Sequence, residues 1–262
     1  MKKKIWAALF LSAGLAFAGC SSSSDADKKA DTTDTSETTA ADAAAKSEGV
    51  MTYQEYIDAP IDSEVVVEGY VQDKQSWWED KATLYLADPD GAYFVYNPNV
   101  PQDLYDKLVE GTKVKVTGYK TEWSGEVEVA DGADVEIIEG PTYVAPVVDV
   151  TDKLANEDEL IKSQNQKVAF NEMEIVPAEE GSDAAYLYNY DGSGSEGDDL
   201  YFNASKDGKT YTFTVESYLR DKDSDVYKAV KDLKVGDKVN MEGYLYWYEG
   251  ANPHITSVTV VE

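Results

Sequence analysis

Leu108-Val109-Glu110-Gly111-Thr112-Lys113-Val114-Lys115-Val116-Thr117-Gly118-Tyr119 returns 125 residues later as Leu233-Lys234-Val235-Gly236-Asp237-Lys238-Val239-Asn240-Met241-Glu242-Gly243-Tyr244. Leu, Gly, Lys, Val, Gly and Tyr keep their places, and Gly125 and Gly250 carry the register past the match. Two glycines and an aromatic held at one spacing point to an internal duplication, so each copy belongs to one repeated structural unit.

The flanking stretches correspond as well. In the first half, the β-branched run Val65–Val71 predicts a strand, and Thr83–Leu86 and Tyr93–Tyr96 predict two more around the turn residues Asp88-Pro89-Asp90-Gly91. Leu104, Tyr105 and Leu108 share a face of a short helix from Gln102 to Leu108, and strands over Lys113–Glu122 and Glu126–Ile138 complete five. The second half repeats the order. Lys167–Val176 is its first strand, and Leu200–Ala204 and Thr210–Val215 form a hairpin over Lys206-Asp207-Gly208-Lys209. A helix runs from Asp225 to Leu233, and strands Lys238–Trp247 and His254–Val261 close the unit. Thr52–Ile57 and Asp152–Ile161 read as short entry helices, and Pro141–Pro146 as the connector.

Five strands with a helix between the third and fourth resemble the OB-fold, and Gly111-x-Lys113-Val114-x-Val116-x-Gly118-Tyr119 is similar to the fourth strand of OB-type domains in extracytoplasmic bacterial proteins. The expected fold is all-β with short helices: two tandem five-stranded OB-fold-like Greek-key barrels after a disordered tether. The barrels span residues 50–140 and 141–262.

Upstream, Met1-Lys2-Lys3-Lys4, the apolar stretch Ile5–Phe17 and the small residues Ala18 and Gly19 follow the plan of a secretory signal peptide over residues 1–19. The apolar core is shorter than the roughly 20 residues a bilayer span requires. Phe17-Ala18-Gly19-Cys20 resembles the lipobox of bacterial lipoproteins, with Phe where Leu is usual. The resemblance implies cleavage before Cys20, lipid on that cysteine, and a chain anchored to a membrane at the bacterial cell surface. Cys20 is the only cysteine, so it has no intramolecular disulfide partner. Residues 20–49 are rich in Ser, Thr, Ala and Asp; they bury too little to offset chain entropy and read as a tether with ends roughly 30 Å apart.

The formal net charge is −28, and loss of the three signal lysines makes it −31. Arg220 is the only arginine. Because nucleic-acid affinity comes mainly from Lys and Arg on phosphates, this balance predicts no nucleic-acid partner. The bland reading of the charge is extracellular solubility.

The OB resemblance implies a ligand face on strands two and three, bracketed by the first-to-second and fourth-to-fifth strand loops. In the first unit these loops hold Trp77 and Trp78, and Glu122, Trp123 and Glu126; in the second the hairpin holds Trp247 and Tyr248. Aromatic rings beside carboxylates suit a glycan, since the ring covers the C–H face while the acid accepts from hydroxyls, and they suit a peptide too. The same rings also serve as plugs for the ends of small barrels. Tyr186, Tyr188 and Tyr190 occupy the matching first loop of the second unit. The segment Asp191–Asp199 alternates oxygen donors with glycine, but Phe202 stands where a calcium loop of the EF-hand type needs Glu, so it reads as a flexible acidic loop. With His254 the only histidine, the sequence predicts no catalytic constellation, no metal and no cofactor. The expectation is a non-catalytic binding lipoprotein for a glycan or peptide; the alternative is a structural or assembly protein of the cell envelope that binds another protein.

Overall fold

The computed structural model describes residues 40–261. The segment expected to be a signal peptide, Cys20 and most of the expected tether lie outside the described residues. Among the described residues no helix is long and apolar enough to cross a membrane.

The architecture is all-β with short helices and two closed five-stranded barrels. The first uses β1 (Glu64–Lys74), β2 (Leu84–Asp88), β3 (Gly91–Val95), β4 (Lys113–Trp123), β5 (Glu126–Val129) and β6 (Asp134–Ile137). Antiparallel β1–β2, β2–β3, β4–β5 and β1–β4 pairs and a parallel β3–β5 contact close it. The long last strand expected over 126–138 is broken into β5 and β6, with Gly132 at φ +83° in the break. Its core comprises Val65, Val67, Leu84, Leu86, Val95, Leu108, Val114, Val116 and Val129, all buried.

The second barrel repeats the plan with β8 (Lys167–Val176), β10 (Leu200–Lys206), β11 (Lys209–Val215), β12 (Lys238–Tyr244) and β13 (His254–Val260), after the two-residue β7 (Val148–Asp149) and with β9 (Tyr186–Tyr188) on its edge. Parallel β11–β13 and antiparallel β8–β10 contacts close it. Phe170, Phe202 and Phe213 fill its centre at centroid separations of 5.0 and 5.7 Å. The expected turn Lys206-Asp207-Gly208-Lys209 is present, with Asp207 and Gly208 both at positive φ, as a two-residue hairpin between right-twisted strands requires.

Helices are short: α1 (Ala40–Ala43), α2 (Tyr53–Asp58), α3 (Gln102–Tyr105), α4 (Glu157–Leu160) and α5 (Asp225–Asp232). A capping box of Thr52 and Glu55 starts α2, and the Ser224 hydroxyl caps α5 by accepting from Tyr227 N.

The outer face of β1 is covered. Residues 43–49, from the end of the expected tether, lie against it: Tyr70 Oη donates to Ala43 O at 3.2 Å, and Lys46 Nζ meets Asp88 at 2.5 Å. Lys113 Nζ donates to Ala45 O and pairs with the buried Glu68 at 3.1 Å. The connector follows the same face, where Gln72 accepts from Ala145 N and donates to Tyr143 O. A half-exposed strand would have alternated; covering both faces erases the alternation from Val67 to Gln72.

Candidate binding cleft

The two barrels meet along a seam built from the ligand face that the OB resemblance assigns to the first. Tyr85 on β2 and Phe94 on β3 point outward onto the second barrel, where Tyr85 packs on Tyr244 at 4.4 Å and Phe94 on Tyr246 at 5.2 Å. Tyr85 Oη is 2.7 Å from His254 Nδ1, and His254 stacks on Tyr246 at 4.4 Å. Burial pushes the His254 imidazole down to about 3, so it is neutral at physiological pH.

Polar contacts lock the seam. Arg220 forms a two-pronged pair with Asp73, and Tyr244 Oη donates to the same carboxylate at 3.4 Å. Ser76 N donates to Tyr218 O, and Gln75 Nε2 to Glu216 Oε2 at 3.0 Å. On the other side, Glu249 N donates to Ser124 O and Gln164 Nε2 to Gly125 O. Gly125, at φ +94°, leaves room for the Trp247 ring: a Cβ there would lie 2.7 Å from Trp247 Cδ1.

This geometry sorts the sequence-predicted residues. Trp247 is buried in the second core and its backbone N–H donates to Glu126 Oε2 at 2.9 Å. Glu126 is fully buried in the seam, and burial pushes its carboxyl up to about 8 against the pull of Asn165, the Trp247 N–H and Gln164. Its neighbour Glu128 is pushed up to about 7 by burial alone. Glu126 and Trp247 therefore join the barrels rather than facing solvent. Trp77 is half-buried and pinned by its indole N–H to Val100 O at 2.8 Å. Glu122 and Trp123 are exposed on the β4–β5 hairpin, outside the cleft lining.

Trp78 and Tyr248 are the two that come together. They stand on the walls of a cleft of about 1150 Å³ between the barrels. Trp78 is 71% exposed and is presented by a two-residue turn in which Trp78 and Lys81 exchange backbone hydrogen bonds at 2.9 Å. The central residues, Glu79 and Asp80, hold φ of +47° and +59° without glycine, a strained conformation spent on aiming this ring.

The second barrel contributes residues that were not among the expected ligand contacts: Tyr201, Glu216, Tyr218, Tyr246, Asn252 and His254. Glu216 is pushed up to about 7 by burial and by Asp199, despite accepting from Tyr218 N, Leu219 N and Gln75. The one signal for this wall was the aromatic run Tyr244-Leu245-Tyr246-Trp247-Tyr248, denser than its counterpart Tyr119-Lys120-Thr121-Glu122-Trp123.

The amides of the cleft are pre-aimed. Asn97 Oδ1 accepts from Thr83 Oγ1 and Asn252 Oδ1 from Thr214 Oγ1. Each carbonyl is thus partly engaged, while each side chain keeps two N–H donors to offer a ligand. Rings and amide donors on facing walls suit a ligand with flat apolar faces and oxygen acceptors. Among the described residues no cluster of His, Cys, Asp and Glu could hold a metal ion.

The fold is that of a chain of two OB-fold-like barrels, with the cleft of about 1150 Å³ between them. No protein-family model matches it, and no curated protein matches it. Among solved structures it is similar to a murine DNA binding protein bound with ds DNA, at 12% identity and a TM-score of 0.33, over 75% of this chain and 98% of that one. The Ifi202 HINa domain in complex with 20bp dsDNA is 11% identical at a TM-score of 0.33, over 76% and 98%. Asparaginyl-tRNA synthetase from Pyrococcus horikoshii complexed with asparaginyl-adenylate is 18% identical at 0.30, over 37% of this chain and 24% of that one. The chain thus spans about a quarter of that synthetase. These are likenesses of fold. The expected exclusion of nucleic acid as a partner is withdrawn, because two of these similar structures are described as bound with or in complex with dsDNA; the likeness itself is one of fold and assigns this chain no partner. A charge summed over the whole chain does not describe the local surface that meets a ligand.

Proposed function

We propose that this protein is a non-catalytic, extracytoplasmic binding module, held to a membrane by lipid on Cys20, that takes a saccharide into the cleft between its barrels. The observation that carries the reading is the cleft itself: exposed rings of Trp78, Tyr218 and Tyr248 around amide donors from Asn97 and Asn252. A ring covers the apolar C–H face of a sugar, and amide N–H groups donate to its hydroxyl oxygens. Pockets for small ligands combine these elements in the same way, mostly apolar walls with a few placed polar groups. The lipid assignment is supported by the lipobox-like Phe17-Ala18-Gly19-Cys20.

A screen of the protein against a glycan array, followed by tryptophan fluorescence titration of the hits, tests the reading. Trp78 sits on the wall, so a bound sugar changes its emission, and Trp78→Ala removes the change and weakens the binding. A silent array would contradict the proposal, as would capture of peptides or single-stranded oligonucleotides in place of sugars.

A further inference from the structure

The cleft continues past the seam. Tyr190, Tyr201 and Asn252 line it and also line a second groove of about 260 Å³ on the outer face of β10 and β11, whose remaining walls include Leu187, Asn203 and Thr212. Strand geometry makes this continuity. Tyr201 and Asn203, two residues apart on β10, project from the same face, and opposite them on β11 stand Thr214 and Thr212.

The polar groups of this face are held in place. Thr212 Oγ1 donates to Asn203 Oδ1 at 2.8 Å, and Asn203 Nδ2 donates to Ala178 O at 3.1 Å. Thr214 Oγ1 donates to Asn252 at 2.7 Å, which ties this row to the cleft. Tyr190, 77% exposed, stands where the two cavities join.

Size decides what such a path holds. Pockets for a single small ligand run to about 300–1,000 Å³. The cleft of about 1150 Å³ already exceeds that range before the second groove is added. We infer that the ligand is a linear oligosaccharide, one end of which lies in the inter-barrel cleft while the chain continues past Tyr190 across the outer face of β10 and β11. This rests on the saccharide reading above and adds the ligand's length and course.

The test is calorimetry on the full chain with ladders of β-1,4- and α-1,4-linked glucans from disaccharide to octasaccharide. Three proteins are compared: wild type, Thr212→Arg and Trp78→Ala. Thr212 is exposed, so arginine there narrows the second groove without touching the core, and a thermal melt confirms its folding. One linkage series is expected to bind wild type with affinity rising about tenfold or more from disaccharide to octasaccharide, which is about 1.4 kcal/mol or more. Thr212→Arg keeps the disaccharide affinity and loses the gain with length; the milder Thr212→Ala loses part of it. Trp78→Ala weakens every length. An affinity that does not change with length, or an octasaccharide that binds Thr212→Arg as it binds wild type, overturns the inference and leaves the saccharide reading standing. No binding of either series at any length overturns both, and so does a ladder of single-stranded oligonucleotides that binds with the predicted length dependence.

Discussion

Replacing Glu126 by Gln should make the protein more stable at alkaline pH, with a size set by where that carboxyl sits. It is fully buried at the seam, and burial raises it from the usual 4.5 to about 8. An unfolded chain ionises this group near 4.5, so between there and about 8 the folded state holds one more proton than the unfolded state. Stability must then fall as pH rises through that window. At about 1.36 kcal/mol per pH unit the ceiling is about 5 kcal/mol, and relaxation of the seam would leave about 2–5. Gln cannot ionise and escapes this loss. It keeps a carbonyl for the Trp247 N–H, and its NH₂ takes the place of Glu126 Oε1, which has no partner among the described residues. Urea unfolding followed by tryptophan fluorescence from pH 5 to 9 measures the difference. The two proteins should be similar near pH 5 and diverge steadily up to about pH 8; Glu128 and Glu216, both raised to about 7, leave a shallower slope in the variant. Parallel curves would refute the buried, protonated Glu126.

Three further expectations follow from the same contacts. Arg220→Ala leaves Asp73 without its guanidinium partner in a part-buried seam, costing about 2–3 kcal/mol and lowering Tm by about 4–12 °C in a calorimetric scan; an unchanged Tm would show the pair to be idle. Substituting Asn for Glu79 and Gly for Asp80 relieves two left-handed residues and should stabilise the chain by about 1–2 kcal/mol in urea, whereas a loss would mean the turn is not strained. The His254 ring signals should not titrate between pH 7 and 5 in NMR spectra, because burial holds this imidazole at about 3; a midpoint near the usual 6.5 would place it in water.

Much of the fold was legible because its signals are local. The repeat with its glycines, the Asp-Gly and Pro-Asp-Gly turns and the β-branched runs each act within a few residues, and they located both barrels. What was not legible depends on how the barrels meet. Tyr119 and Tyr244 occupy the same place in the repeat, yet Tyr119 is 58% exposed while Tyr244 is buried against Tyr85. Apart from the denser aromatic run that follows Tyr244, nothing in the two copies distinguishes them, since only the second copy faces the seam. Glu126 read as a ligand-bracketing loop acid for the same reason. The candidate site was legible at Trp78 and Tyr248, where ring and loop coincide, and illegible at Tyr201 and His254, which strand pairing brings in from distant segments. Residues 43–49 read as tether because their composition is polar and small; Lys46 and Ala43 are held by Asp88 and Tyr70 on the barrel, contacts that composition does not encode.

The tryptophans allow the most direct test of the cleft as the ligand site. Trp78 lines it, Trp77 is tied to Val100, Trp247 is buried behind Glu126, and Trp123 is exposed but lies off its walls. Indole N–H resonances assigned by single substitution can be followed while a glucan hexasaccharide is added. The Trp78 signal should move alone, or far more than the others, and saturate with the calorimetric affinity. Movement of Trp123 with Trp78 unchanged, or no movement at a concentration that saturates binding, would contradict the cleft as the place where this protein holds its ligand.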